Sequence, residues 1–358
     1  MNTAALSELL EKITKIDDQN RVQKNLSLLV QAIQNMAAAP GDASQQSAFA
    51  DAFKAFKSSM ASSCEDITPG DIERLEEILS EDDFSMELIN GIEKIINANP
   101  ASPAVAHEEI SKIFDDRQKT LTHMKDLLMH LKWFSINPPS NDDDKGQIGF
   151  KIPREIFNNN INGLILELQF LKKFINIVAE SCDRDVDDIE VGEISTTDPV
   201  FWFVVAFVIA KNVGSLTSWA LDSWKKVEDI RNVRAQTAKL EAFTDKEVEK
   251  IFDEKIQKTI ESEIEKKVKD LTKSIVDQGR KNELQNGLTL MLKQFLARIE
   301  RGMTVDIKYL PRLSEGAEES AEVQVKKQEV IEIANRLFFH RPKGEPILQI
   351  EAANDQDP

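Results

Sequence analysis

A chain of 358 residues is longer than one hydrophobic core usually serves, and 41% hydrophobic with 30% charged residues excludes wholesale disorder. Few glycines and prolines, a single tyrosine and many Leu, Ile, Glu and Lys favour a mainly α fold. A net charge of −17 argues against a general nucleic-acid binder, since phosphate binding needs a basic field, so no nucleic acid is expected as a partner.

The first residues read as an amphipathic helix without the basic start, apolar middle and cleavage site of a secretory signal. Cys64 and Cys182 are far apart in sequence, form no disulfide framework and suit a reducing compartment. A cytoplasmic chain is expected, membrane-associated if an internal segment directs it there.

Residues 2–38 carry two apolar stripes at helical spacing, Leu6, Leu9, Leu10, Ile13 and Ile16, then Val22, Leu26, Leu29, Val30 and Ile33. A third helix over about 44–62 presents Phe49, Phe53 and Phe56. Pro69 and Asp71 open a short helix, and helical spacing returns through Leu88, Ile92 and Ile95. Residues 97–103, Asn-Ala-Asn-Pro-Ala-Ser-Pro, are the clearest punctuation in the first half, and a boundary is placed there. A long helix follows over 104–134. Residues 147–153 then alternate apolar and polar as a strand does, and a helix with a wide apolar face is predicted over 154–179. Ile189, Val191 and Ile194 suggest a second strand.

From Thr244 and Asp245 a helical pattern continues to Arg301. Its apolar positions step by four more often than by three, so the stripe drifts instead of keeping a clean coiled-coil heptad. Val305, Ile307 and Tyr309 alternate as a strand, 321–339 is helical, and 347–350 closes the pattern as a last strand. The fold expected is an elongated, mainly α bundle of long helices with a small accessory sheet of short strands at about 147–153, 188–194, 304–310 and 346–351. It divides into an N-terminal helical domain 1–100, a long-helix domain 101–310 and a C-terminal part 311–358.

Motifs for chemistry are weak. His107-Glu108-Glu109-Ile110-Ser111 begins like a zinc-protease helix, but position 111 offers no second histidine. His123, Asp126 and His130 share a helix side at i, i+3, i+7, a spacing that a metal tolerates and that solvated polar residues also produce. The acidic stretch 183–188 lacks the glycine and the closing glutamate of a calcium loop. No phosphate loop, nucleophile elbow or Cys-x-x-Cys pair occurs. Neither a catalytic residue, a metal nor a cofactor is assigned, and a non-enzymatic protein is expected.

The stretch that dominates the chain is 199–224, PVFWFVVAFVIAKNVGSLTSWALDSW, an unbroken apolar run over 200–210 in acidic, charged surroundings. A helix spanning about 30 Å of hydrocarbon needs around twenty apolar residues. The stretch has that length, but Lys211 stands at its centre, where a charge costs about 2.5–3.5 kcal/mol. Acidic residues precede it, and Lys225, Lys226, Arg231 and Arg234 follow, an asymmetry that would place the C-terminal side in the cytoplasm. Three readings stand: a single span, a segment that inserts conditionally, and a buried helical hairpin turning near Gly214.

Long amphipathic helices around one apolar segment make a layout similar to that of α-helical pore-forming cytolysins, a likeness of arrangement. It implies a segment folded away until assembly on a membrane. The first functional reading is therefore a helical protein acting at a membrane, with lipid or a protein as partner and itself as a homo-oligomer. Its contacting residues would be Val200, Phe201, Trp202, Phe203, Val204, Val205, Phe207, Val208, Ile209, Val213, Leu216, Trp219, Leu221 and Trp224, with Lys211 and the four later cations as the basic flank. The alternative is a soluble helical scaffold or assembly protein in which 200–221 is core or a subunit interface.

Overall fold

The computed structural model describes residues 3–79, 81–142, 144–184, 189–195, 199–238, 246–312, 320–339 and 346–350. The fold is mainly helical with a small four-stranded antiparallel sheet, and the chain divides into two compact units, 1–140 and 141–358.

The first unit is all helical among its described residues. Helices α1(Thr3–Asn20) and α2(Val22–Ala38) are separated by Arg21 in the left-handed conformation. They are followed by α3(Ala43–Asp66), α4(Pro69–Glu76), a 3-10 turn at Glu81–Phe84, α5(Glu87–Ala98) and α6(Pro103–Trp133). Local chemistry sets the starts: Asp42 caps α3 through the Ser44 amide, and Thr68 with Asp71 forms a capping box at α4, with Pro69 in its first turn. The punctuated stretch 97–103 lies between α5 and α6.

The apolar stripes meet in two clusters. One joins Leu9, Leu10 and Ile13 to Leu75, Leu121 and Met124; the other joins Leu26, Leu29 and Ile33 to Phe56, Ile92 and Ile110. Helix α6 serves both, and between its two contributions it buries Arg117. That guanidinium pairs with Asp17 at 2.6 Å and donates to Gln23 Oε1 and to the Asp83 carbonyl. A buried charge is tolerable only with its donors satisfied this fully.

The second unit holds β1(Lys145–Lys151), α7(Ile161–Ser181), β2(Glu190–Ser195), β3(Val200–Ala206), α8(Phe207–Ala238), α9(Lys246–Leu271), α10(Gln278–Glu300), β4(Thr304–Lys308) and α11(Ala321–Ala334). The strand order is β2-β3-β1-β4, antiparallel throughout, with a bulge in β2 between Val191 and Glu193. Phe150, Phe203 and Val205 from the sheet meet Phe174 of α7 and Phe295 of α10, whose rings stack at 4.5 Å. Helix α8 approaches β1 closely at Gly146, where a Cβ would come within 2.8 Å of Ala210.

Several expectations are corrected. The run 200–210, read as helical, is a strand to Ala206 and only then a helix, and α8 passes through Gly214 without turning. Flanked by β1 and β2, β3 is an inner strand buried from Phe201 to Val205. That double-sided burial explains its continuous apolar run. The helix predicted from 154 begins at Ile161, because Asn158 and Asn159 take left-handed conformations and Asn160 caps the helix through the Gly163 amide. The long helix predicted to Arg301 is two helices, broken before Asp277, which caps α10. Its expected start at 244–245 lies outside the described residues. Residues 346–350 form no strand, and the fourth strand of the sheet is β3 instead.

Candidate functional site

The residues expected to touch a membrane are mostly interior to the second unit. Phe201, Trp202, Phe203, Val204 and Val205 are buried in β3; Ile209, Val213, Leu216 and Trp224 are buried along α8. Val200, Phe207, Val208, Trp219 and Leu221 are half-buried. The cations of the basic flank go to separate partners. Lys211 pairs with Glu329 of α11 at 2.8 Å, and Lys226 with Glu263 of α9 at 2.8 Å. Lys225 is exposed. The side chain of Arg234 lies outside what the structure describes. Among the described residues, no helix is long and apolar enough to cross a membrane.

Two of the predicted residues, Trp224 and Arg231, do come together, two helical turns apart on one side of α8. Trp224 donates its indole N–H to the Leu296 carbonyl at 3.1 Å, and the Arg231 guanidinium lies 5.9 Å from the indole. Arg231 bonds to Glu228 at 2.7 Å and to Glu300, the last residue of α10, at 3.0 Å. Glu300 is buried, and its carboxylate has a second task. One oxygen accepts the Ile347 amide at 2.8 Å and the other the Leu348 amide at 3.0 Å. An acceptor-only carboxylate matches two successive N–H groups and one cation without surplus donors.

This cluster ties α8, α10 and 346–350 into one unit. Sequence reasoning missed Glu300 and read 346–351 as a strand, not as the partner of that carboxylate, because these contacts span separations of 47, 48 and 69 residues, which no local pattern records.

A second buried pair links α7 to α10: Arg298 meets Glu167 through two bonds of 2.6 and 2.9 Å, with its guanidinium 3.6 Å from the Phe170 ring. Its geometry is that of a bidentate structural pair.

In the first unit, the C-terminal end of α6 carries an exposed apolar crest. Trp133 is 78% and Phe134 66% exposed, their rings edge to face at 4.8 Å, with Met129 and Leu127 exposed on the preceding turns. His107 Nε2 lies 3.3 Å from the Ser111 hydroxyl. Among the described residues no group of His, Cys, Asp and Glu could hold a metal ion, which includes His123, Asp126 and His130. Burial pushes both cysteine thiols up from their ordinary value, which lowers the thiolate fraction available for nucleophilic work.

No protein-family model matches the chain, and no curated protein or solved structure matches it.

Proposed function

We propose that this protein is a non-enzymatic, mainly helical assembly protein whose α6 crest binds a second copy of the chain. The observation that carries the reading is the exposure of Trp133 and Phe134 together, ring against ring, with exposed Met129 one turn before Trp133. An exposed cluster of large apolar side chains marks an interaction surface, and Trp is among the residues that dominate binding energy.

The burial of 201–205 supports this reading over the membrane one. For that stretch to meet lipid, β3 must leave both its neighbours, β1 and β2. Open backbone groups in hydrocarbon each cost several kcal/mol, by order of magnitude. An assembly protein needs no such rearrangement.

Sedimentation velocity over a range of protein concentrations tests it. The wild-type chain should self-associate, and Trp133→Ala with Phe134→Ala should weaken the dissociation constant by about tenfold or more, since truncating a buried aromatic anchor costs over ~2 kcal/mol. A wild-type chain that sediments as a monomer at every concentration would sink the reading.

A further inference from the structure

We infer that the second unit contains a groove for a short, bent apolar peptide, closed in this chain by its own residues 346–350, and that the same segment of a second copy can occupy it. This site is separate from the α6 crest and does not rest on the assembly role proposed for that crest.

The segment Pro346-Ile347-Leu348-Gln349-Ile350 belongs to no helix or strand. What holds it is a different kind of attachment. Glu300 accepts its two successive amides, 2.8 Å from Ile347 and 3.0 Å from Leu348. Leu348 is buried in the main core of the unit, and Ile347 and Ile350 pack partly against that core. The two successive amides meet one carboxylate because the chain bends at Ile347 and Leu348, and the apolar side chains of the bend seat on the core, so backbone and side chains are held together.

The groove side of this contact is held in place without the segment. Glu300 is anchored by Arg231, which is in turn held by Glu228 and lies against Trp224. Trp224 is fixed to α10 through the Leu296 carbonyl. The acceptor that reads the two amides is therefore set by α8 and α10 alone. Any chain with the same apolar spacing and two free amides meets the same contacts, and the sequence that carries both in this protein is its own 346–350. A second copy supplies it. In one molecule the tethered segment competes at high effective concentration, so exchange between copies is favoured only when that segment opens.

The test uses the full chain and a fluorescent synthetic peptide spanning residues 345–352, read by anisotropy. Leu348→Asp releases the tethered segment and leaves the groove residues intact. It should raise peptide affinity over wild type by about tenfold or more, the worth of one buried leucine. Adding Glu300→Gln to that variant puts an N–H₂ group where an amide N–H needs an acceptor, and should lower the affinity by about tenfold. Trp133→Ala should leave both values unchanged, which separates this site from the α6 crest.

A folded Leu348→Asp chain that does not bind the peptide would overturn the inference, as would binding indifferent to Glu300→Gln. Hydrogen exchange on the unaltered chain covers the case of a variant that fails to fold. The Ile347 and Leu348 amides should exchange through a local opening at least ~100-fold more readily than those of β1 and β3. Exchange of all four sets in one cooperative step would mean that the segment never opens, and the inference would fall.

Discussion

Gly149 of β1 lies opposite Trp202 of β3, and the indole occupies the space a side chain would need. A Cβ at 149 would fall 2.8–2.9 Å from three atoms of the ring, while the Lys308 ammonium sits 4.2 Å from the ring centroid. Gly149→Ala must therefore displace a large aromatic from between two strands. Overpacking of this kind costs about 1–3 kcal/mol. Urea unfolding should show that loss, and an unchanged midpoint would mean the indole has room the structure does not give it.

Asp71 is the strongest electrostatic commitment in the first unit. Burial alone would raise its pKa, but the Lys12 ammonium and the Arg74 guanidinium, with hydrogen bonds from Lys12 and the Thr68 amide, outweigh burial and hold it far below the ordinary carboxylate range. A carboxyl depressed on folding stabilises fully above its unfolded value of 3.8, and that contribution is lost as pH falls below it. The first unit should thus lose stability between about pH 4 and pH 2, and Asp71→Asn should flatten that slope. Urea midpoints at several pH values measure both; equal slopes in the two proteins would contradict the assignment.

At the scale of elements, period-3.6 apolar stripes were legible wherever a helix has one wet face. Leu9, Leu10 and Ile13 in α1, and Leu26, Leu29 and Ile33 in α2, are the same residues in the sequence pattern and in the buried clusters. Strands β1 and β4 were legible from alternation: β1 is buried along its length, yet Gln147, Gly149 and Lys151 alternate with Ile148 and Phe150, and in β4 Thr304 and Asp306 alternate with Val305 and Ile307. β3 was not, because it carries large apolar side chains on both faces, which erases the period-2 signal, and a short apolar run cannot separate strand from helix. The density of Val, Phe and Trp from Val200 to Val205 was the available sign. The break between α9 and α10 was hidden by a continuous apolar stripe, although Asp277 is a cap residue that announces it. Trp224 and Arg231 were singled out for a membrane flank; the partner that joins them, Glu300, is remote in sequence.

Lys211 bears on the same element. Its ion pair with Glu329 joins α8 to α11 with both side chains partly exposed. Such pairs are worth about 0–1 kcal/mol. Lys211→Leu should shift stability by no more than that and leave the protein's partition into anionic vesicles unchanged. Flotation of the variant but not the wild type would restore the membrane reading of the helix that follows β3.

Taken whole, the molecule is two compact units, each with its own buried apolar clusters. The most apolar stretch of the sequence is consumed by the second of them, as an inner strand and the buried side of α8. What remains exposed is the crest at Trp133 and Phe134, on which the proposed self-association rests. Backbone hydrogen exchange over 200–206, with and without anionic vesicles, tests whether this stretch belongs to the core. These amides should exchange only with global unfolding of the second unit, and vesicles should not change their rate. Rapid exchange in water, or loss of strand protection on adding vesicles, would contradict that placement.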